Sequence, residues 1–300
     1  MRVGVIGLGS MGMGMAVSLV RAGHVVAGSD VRAAAIDSLV AAGGQAAAGP
    51  GAAAEGAQLV IVMVVNQAQV ETVLFGPDGA ITRLPRGAVV MLSSTVPAAF
   101  TVALDARLAE TGHLLLDAPV SGGAAKARDG QLTIMSSGTA AAYAVADPVL
   151  DAVAATVYRL GDRPGIGSTV KTVNQLLAGV HIAAAAEAMA LGTRAGAGAD
   201  PRQLYEVISN SAGGSWMFQN RVPHMLDGDF TPLSSVEIFV KDLGLVLDTG
   251  RSLRFPLPIA AAAHQQFLAA AGSGHGGEDD AAVVKVYEGL AGISVARPKA

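Results

Sequence analysis

The first thirty residues constrain this chain most. Arg2-Val3-Gly4-Val5-Ile6 is an apolar run with the composition of a short buried strand, and Gly7-Leu8-Gly9-Ser10-Met11-Gly12 follows without a gap. Helical residues run from Met13 to about Ala22. A second β-type run, Val25-Val26-Ala27-Gly28-Ser29, then ends in Asp30. In a strand–turn–helix–strand unit each glycine has its own task. Gly7 permits the tight turn, Gly9 lets backbone come close to a pyrophosphate, and Gly12 lets the helix pack closely on the sheet. The helix N-terminus, at Ser10 and Met11, offers N–H groups and partial positive charge to the phosphates. Asp30, eighteen residues beyond Gly12, stands where a carboxylate accepts from both ribose hydroxyls of an adenosine. Val31 adjoins it. In a chain with 38 glycines such a motif means little alone; the strand, helix and terminal acid around it supply the context it requires. A carboxylate there repels a 2′-phosphate, so NAD is expected over NADP. Arg32, two residues on, offsets part of that repulsion.

Three hundred residues suffice for one large domain or two ordinary ones. With 51% hydrophobic and 15% charged residues, the chain can bury a large core and is not disordered. A net charge of −4 gives no electrostatic footprint for nucleic acid. Zero cysteines remove disulfides and thiolate chemistry and fit a reducing compartment. Arg2 and the apolar run after it superficially resemble a secretory signal, but cleavage would destroy the dinucleotide motif. No uninterrupted apolar stretch reaches the ~18 residues of a spanning helix, since His181 and Glu187 interrupt the Ala-rich segment near Ala183. A cytoplasmic protein that binds neither membrane nor nucleic acid is expected.

Ala33 to Ala42 reads as a helix stopped by Gly43-Gly44. The unbroken run Leu59 to Val65 reads as a central parallel strand covered on both faces, ended by Asn66. Further strands are expected at Ala88–Leu92, His113–Asp117, Leu132–Ser136 and Val157–Arg159, and helices at Pro97–Thr111 and Ala140–Val153. This alternation predicts an α/β, Rossmann-like doubly wound domain over residues 1–162. After Gly161-Asp162-Arg163-Pro164-Gly165 the pattern turns helical: Ser168–Ala195, Pro201–Ser211, Val236–Ser252, Pro258–Ala271 and Ala281–Ala291. An all-α C-terminal domain over 163–300 is expected, with residues 273–280 as a polar, glycine-rich loop.

Ligands of open α/β sheets sit at the carboxyl ends of the strands. Besides Gly7–Gly12 and Asp30, those ends carry Val64-Val65-Asn66, Ser93-Ser94-Thr95 and Ala118–Gly123. Val64 and Val65 can pack near a cofactor, and Thr95 can hydrogen-bond its ribose or nicotinamide. The plainer reading of Ser93-Ser94-Thr95 is a cap for the helix starting at Pro97. In Asp117-Ala118-Pro119-Val120-Ser121-Gly122-Gly123, a hydroxyl and two glycines present unobstructed N–H groups that can hold a carboxylate; a simple turn would look similar. Lys171 is one of five lysines and lies among apolar neighbours. With Asn174 and Gln175 at i+3 and i+4 it shares one helix face. A lysine in such a wet crevice can give a proton to a carbonyl oxygen or take one from a hydroxyl, and desolvation in general lowers a lysine pKa towards the working range. The alternative is a lysine that snorkels at a helix start, where the helix dipole disfavours a cation. Lys241-Asp242 is a second Lys–Asp pair, whose plain reading is a surface charge pair. No metal-ligand pattern stands out.

Taken in order, Gly7-Leu8-Gly9-Ser10-Met11-Gly12, Asp117 to Gly123, Gly167 through Lys171 to Asn174, and Lys241-Asp242-Leu243 resemble the β-hydroxyacid dehydrogenase family over essentially the whole chain. That family includes 3-hydroxyisobutyrate dehydrogenase and tartronate semialdehyde reductase. The resemblance implies Lys171 as general acid/base, and Ser121, Gly122, Gly123, Asn174, Gln175 and Asp242 around the substrate. It places Lys241 near the nicotinamide. Some members carry the asparagine four residues after the lysine, where this chain has Gln175. Residues 213–221 and 230–234 look most like the L-threonate dehydrogenase branch, in which the 2-hydroxyl of a four-carbon sugar acid is oxidised with NAD. Ser215, Gln219, Asn220 and Arg221 would suit a polyhydroxylated acid, whereas Trp216 and Phe218 can simply pack at a helix contact. The resemblance further implies a homodimer or homotetramer. The alternatives are 3-hydroxyisobutyrate dehydrogenase or tartronate semialdehyde reductase on the same scaffold, and a non-catalytic dinucleotide-binding module. An imine reductase shares the architecture but lacks a lysine at this position.

Overall fold

The structure, a computed structural model, describes residues 1–195 and 200–296. It divides into two compact units, Met1–Lys171 and Thr172–Ala300. The first unit is ordered by its apolar runs. β1 (Arg2–Ile6), α1 (Ser10–Arg21), β2 (Val25–Ser29), α2 (Ala33–Ala41), β3 (Gln45–Ala46), α3 (Pro50–Ala54) and β4 (Leu59–Val62) form its first half. α4 (Gln67–Phe75), β5 (Val89–Leu92), α5 (Ala98–Glu110) and β6 (Leu114–Asp117) follow, then β7 (Val120–Ser121), α6 (Gly123–Asp129), β8 (Leu132–Gly138), α7 (Ala140–Val153) and β9 (Ala154–Arg159).

The strands lie in the order β3-β2-β1-β4-β5-β6-β8-β7, with β9 beside β8. From β3 to β6 every pairing is parallel; β8 then runs antiparallel to β6 and to β7, and parallel to β9. The order 3-2-1-4-5-6 is that of a dinucleotide-binding sheet, with its crevice where the chain switches direction between β1 and β4. Side chains alternate across the strands. Val3, Val5, Ile61, Val89 and Met91 enter one core, whereas Ile6, Val60, Val62, Val90 and Leu92 enter the other. Both faces are covered, and each fully buried aliphatic side chain contributes roughly 1.5–3 kcal/mol.

The run read as a strand to Val65 stops at Val62. The Val64 N–H leaves the ladder and donates to Ser94 Oγ at 2.9 Å instead. α4 begins there, capped by Asn66 Oδ1, which accepts from Gln69 N at 2.9 Å. The segment read as a turn at Ser121-Gly122-Gly123 is the end of β7 and the start of α6. Gly122 and Gly123 both hold positive φ, 135° and 78°, which only glycine adopts without strain.

The long helix α8 (Ile166–Ala195) begins in the first unit and runs on into the second. Against the expectation of no spanning segment, it is long and apolar enough to cross a membrane by length and composition, with a window of mean hydropathy 1.5. Alanine raises that average, and Ile182, Ala183, Ala185, Ala186, Met189 and Ala190 belong to the second unit's buried core. After α8 come α9 (Pro201–Ser209), α10 (Trp216–Asp227), α11 (Val236–Leu253), α12 (Pro258–Ala270) and α13 (Val284–Ala291). The second unit holds no strand among its described residues. Sequence reading missed α10, because Pro223 lies inside it.

Residues 273–280 are not simply a solvated loop. Asp279 and Asp280 are fully buried. Asp279 accepts from the N–H groups of Leu233 and Ala281. Asp280 accepts from Arg221 through Nε at 2.5 Å and Nη2 at 3.2 Å. Burial, resisted by Arg221, pushes the Asp280 carboxyl up to about 6. Removing one partner of such a buried pair costs about 3–5 kcal/mol, because the other charge is left uncompensated.

Candidate active site

Two of the three glycines in the loop after β1 are required by the protein itself. Gly7 has φ 92°, and a Cβ there would lie 2.4 Å from the Met63 carbonyl oxygen. At Gly12 a Cβ would lie 1.9 Å from the Gly7 carbonyl oxygen, so α1 starts closer to the strand end than any side chain allows. Gly9 differs: its φ of −67° suits any residue, and a Cβ there would meet no protein atom within 4 Å. The backbone at Gly9 therefore faces open space beside the first turn of α1, whose leading N–H groups have no intrahelical acceptor. That vacant approach fits a pyrophosphate. The sequence reading missed Gly14, whose α-carbon lets α1 close on Ala127 of α6.

Asp30 follows β2 with its carboxylate only 8% exposed. Oδ2 accepts from Leu8 N at 2.7 Å; Oδ1 accepts from Arg32 N at 2.9 Å and Nε at 3.1 Å. Burial opposes ionisation, but the Arg32 side chain and the two backbone donors outweigh it and hold the carboxyl below its usual value. Arg32 also donates from Nη2 to the Leu8 carbonyl at 2.9 Å. Asp30 and Arg32 thus brace the glycine loop as well as charging its rim. Val31 between them is fully exposed.

At the neighbouring strand ends, Val64 is half-buried and Val65 exposed; Val65 N donates to Gln69 Oε1 at 2.8 Å. Asn66 serves as the cap of α4. Thr95 is half-buried just beyond β5. The capping alternative for Ser93-Ser94-Thr95 does not hold: α5 has Pro97 at its N-cap and no side-chain cap. Ser94 holds Val64 instead, and Ser93 is buried.

Asp117, the last residue of β6, is fully buried. Its Oδ2 accepts from Gly165 N at 2.8 Å and Ser168 N at 2.9 Å, and its Oδ1 accepts from Ser168 Oγ at 2.7 Å. Burial pushes its carboxyl up, against those donors and Ser137 Oγ. The aspartate that opens the Asp117–Gly123 motif therefore anchors the first turn of α8. Lys171 lies one turn beyond Ser168 on that helix and is itself buried.

In the second unit Asp242 is buried, not on the surface, and its Oδ1 lies 2.7 Å from Lys241 Nζ. Its Oδ2 accepts from Gln175 Nε2 at 2.5 Å, and Gln175 Oε1 accepts from Asn174 Nδ2 at 3.0 Å. The surface-pair reading of Lys241-Asp242 fails because α11 turns Asp242 inward onto α8. Ser215, Gln219, Asn220 and Arg221 are each engaged within the second unit. Ser215 caps α10 through Phe218 N, Gln219 Nε2 donates to the Ser209 carbonyl, and Arg221 donates to Asn220 and Asp280.

Comparison with known proteins gives a consistent result. Residues 2–161 match the NAD binding domain of 6-phosphogluconate dehydrogenase, and residues 165–287 match the NAD-binding domain of NADP-dependent 3-hydroxyisobutyrate dehydrogenase. The L-threonate dehydrogenase of Cupriavidus necator is 57% identical over 288 residues, 96% of each chain. The 3-hydroxyisobutyrate dehydrogenase of Pseudomonas aeruginosa is 35% identical, covering 95% of this chain and 97% of its own. A crystal structure from Salmonella typhimurium, described as a 3-hydroxyisobutyrate dehydrogenase, is 52% identical with a TM-score of 0.89, covering 95% of this chain and 99% of that one.

Proposed function

This chain belongs to the β-hydroxyacid dehydrogenase family, as an oxidoreductase acting on a CH–OH group, and from that premise we propose that it oxidises the 2-hydroxyl of L-threonate to the 2-oxo acid with NAD. The observation that carries this reading is a buried lysine, Lys171, sharing a helix face with Asn174 and Gln175, behind which stands the buried Asp242. Relatives bearing the L-threonate dehydrogenase name at 52–57% identity support the substrate.

Residues of the chain divide the work. Gly7, Leu8, Gly9, Ser10, Met11 and Gly12 would hold the pyrophosphate, and Asp30 with Val31 the adenosine end. Val64, Val65, Asn66, Thr95 and Lys241 would border the rest of the cofactor. The charge held at Asp30 favours NAD, because a 2′-phosphate would meet a second anion. Ser121, Gly122 and Gly123 would receive the substrate carboxylate. A bound nicotinamide supplies the hydride acceptor. Lys171 Nζ would act as the base that takes the hydroxyl proton when the carbon gives up its hydride, so that the carbon would be oxidised by two electrons and the proton would stay on the amine. Asp117 and Ser168 hold the helical turn that carries the amine. The reading includes a cytoplasmic location and a homodimer or homotetramer.

Steady-state assays with NAD and NADP against L-threonate, 3-hydroxyisobutyrate and glycerate test it. L-Threonate with NAD should give the highest kcat/KM; preference for 3-hydroxyisobutyrate or glycerate moves the protein to one of the sister activities. Lys171→Ala should lower kcat about 10²–10⁴-fold while NADH affinity stays within about threefold of wild type. NAD binding with no turnover in the wild type would leave a dinucleotide-binding module.

A further inference from the structure

Asp117 is a buried acid whose partners leave a proton one place to go. Its Oδ2 takes the N–H groups of Gly165 at 2.8 Å and Ser168 at 2.9 Å, and the Ser137 hydroxyl at 3.2 Å. A proton on Oδ2 would face two backbone donors that cannot turn away. Oδ1 meets the Ser168 hydroxyl at 2.7 Å, and a hydroxyl can accept as well as donate. Ser168 Oγ in turn lies 3.0 Å from Thr101 Oγ1 of α5, which is itself 3.4 Å from the Pro97 carbonyl oxygen. Asp117, Ser168 and Thr101 are all buried. Each hydroxyl has a single hydrogen. While Asp117 is ionised, Ser168 gives its hydrogen to Oδ1, so Thr101 is the donor across the 3.0 Å contact. Once Oδ1 carries a proton it donates to Ser168; Ser168 then turns to Thr101, and Thr101 to the Pro97 carbonyl.

We infer that Thr101 is a positioning residue for the turn of α8 that carries Lys171, the far end of a proton-linked latch in which the Thr101 and Ser168 hydroxyls reverse together when Asp117 Oδ1 is protonated. The latch lies within the first unit and joins three elements: Asp117 ends β6, and Thr101 and Ser168 stand in the first turns of α5 and α8. It bears on the proposed oxidation only through Lys171. The ionised setting holds the turn more firmly. A hydrogen bond to a charged acceptor is roughly twice as strong as a neutral one, and the anion offsets the positive end of the α8 dipole. Burial pushes the Asp117 carboxyl up against its donors, so it takes a proton at a higher pH than an exposed aspartate would. The ionisable groups on the surrounding elements are Lys171 one turn along α8, Asp105 one turn along α5, and Tyr143 of α7. Arg159, over the Tyr143 ring, is paired with Asp147 at 2.7 Å.

Carbon-13 NMR of the Asp117 carboxyl across pH reads the latch in the ligand-free protein. Thr101→Val keeps the shape but gives the reversed Ser168 hydroxyl no acceptor at that place. The midpoint should therefore fall by about one unit, the effect of one buried donor left unmade, and Thr101→Ser should return it to the wild-type value. A midpoint that stays or rises in Thr101→Val overturns the inference, as does a serine that fails to restore it. Should the valine variant not fold, neutron diffraction of wild-type crystals on both sides of the midpoint decides. A Thr101 deuterium aimed at Ser168 above it and at Pro97 below it supports the latch; one orientation at both pH values overturns it. Above the midpoint, kcat for whichever hydroxy acid the wild type oxidises should fall about 3- to 10-fold in Thr101→Val, the loss of one neutral hydrogen bond, with KM for NAD unchanged. An equal kcat overturns the positioning role. If wild type oxidises none of the acids, it is the proposed function that fails, and the NMR titration still decides the latch.

Discussion

Gly9→Ala separates what the fold needs from what a ligand needs. At φ −67° and ψ −175° alanine is as comfortable as glycine, and the added Cβ meets no protein atom within 4 Å. Restricting the unfolded chain stabilises by about 0.4–1 kcal/mol, while alanine is the poorer N-cap by a comparable ~0.5–1 kcal/mol. These offset, so Tm should move by no more than about 4 °C. Cofactor binding should respond very differently. A methyl on the pyrophosphate's approach lengthens or breaks about two charge-assisted hydrogen bonds of ~1.5–3 kcal/mol each. That sum, roughly 3–6 kcal/mol, corresponds to a rise of about 10²–10⁴ in Kd. NADH fluorescence titration alongside differential scanning calorimetry reads both quantities on one preparation. A variant that melts normally and binds NADH within about threefold of wild type would refute the placement of the phosphates at this loop.

Gly12→Ala should do the reverse in stability: its Cβ would sit 1.9 Å from the Gly7 carbonyl oxygen, and overpacking against backbone costs about 1–3 kcal/mol or more, read as a fall in the urea midpoint. Asp280 gives a pH signature. Its carboxyl is raised from 3.8 to about 6 in the folded protein, so the folded state binds more protons than the unfolded between those values and stability falls as pH rises through them. At about 1.36 kcal/mol per unit, wild-type stability minus that of Asp280→Asn should drop by about 2.4 kcal/mol from pH 4 to pH 7. Urea denaturation at fixed pH would contradict this if the difference were flat or rose.

The half of the fold written in apolar runs was legible in the sequence. β-Branched strands between glycine stops located β1, β2, β4 and β5, and α7 begins and ends at the residues its composition suggested, Ala140 and Val153. Elements whose evidence is a single side chain were harder to see. α4 was hidden behind Asn66, read as a strand end beside a cofactor, although Asn66 and Gln69 form a reciprocal cap: Asn66 Oδ1 accepts from Gln69 N, and Gln69 Oε1 accepts from Val65 N. That signal was present and unread. β7 and α6 lie around Gly122 and Gly123, whose positive φ looks like a turn in any sequence.

Charge was the least legible property, for a physical reason. A carboxylate's burial depends on a partner that composition does not reveal. Asp279-Asp280 read as part of a solvated loop, yet the Arg221 that makes Asp280 tolerable inside is fifty-nine residues away. The plain reading of Lys241-Asp242 was a surface pair, and only the family resemblance set Asp242 by the substrate; Gln175, sixty-seven residues away, takes Asp242 inward. Arg221 was grouped with Ser215, Gln219 and Asn220 as suited to a polyhydroxylated acid; Asp280 occupies its guanidinium. A buried ion is costly unless matched, so each such acid points to the element that neutralises it. Asp117 points to the first turn of α8, Asp280 to α10, and Asp242 to the residue four places after Lys171. Two of the three therefore act on the helix that carries the lysine, one before it and one after. The placement of that helix is thus built from carboxyls buried inside the protein, and substitutions at Asp117, which leave its buried donors unsatisfied, should lower both the urea midpoint and kcat measured on one preparation.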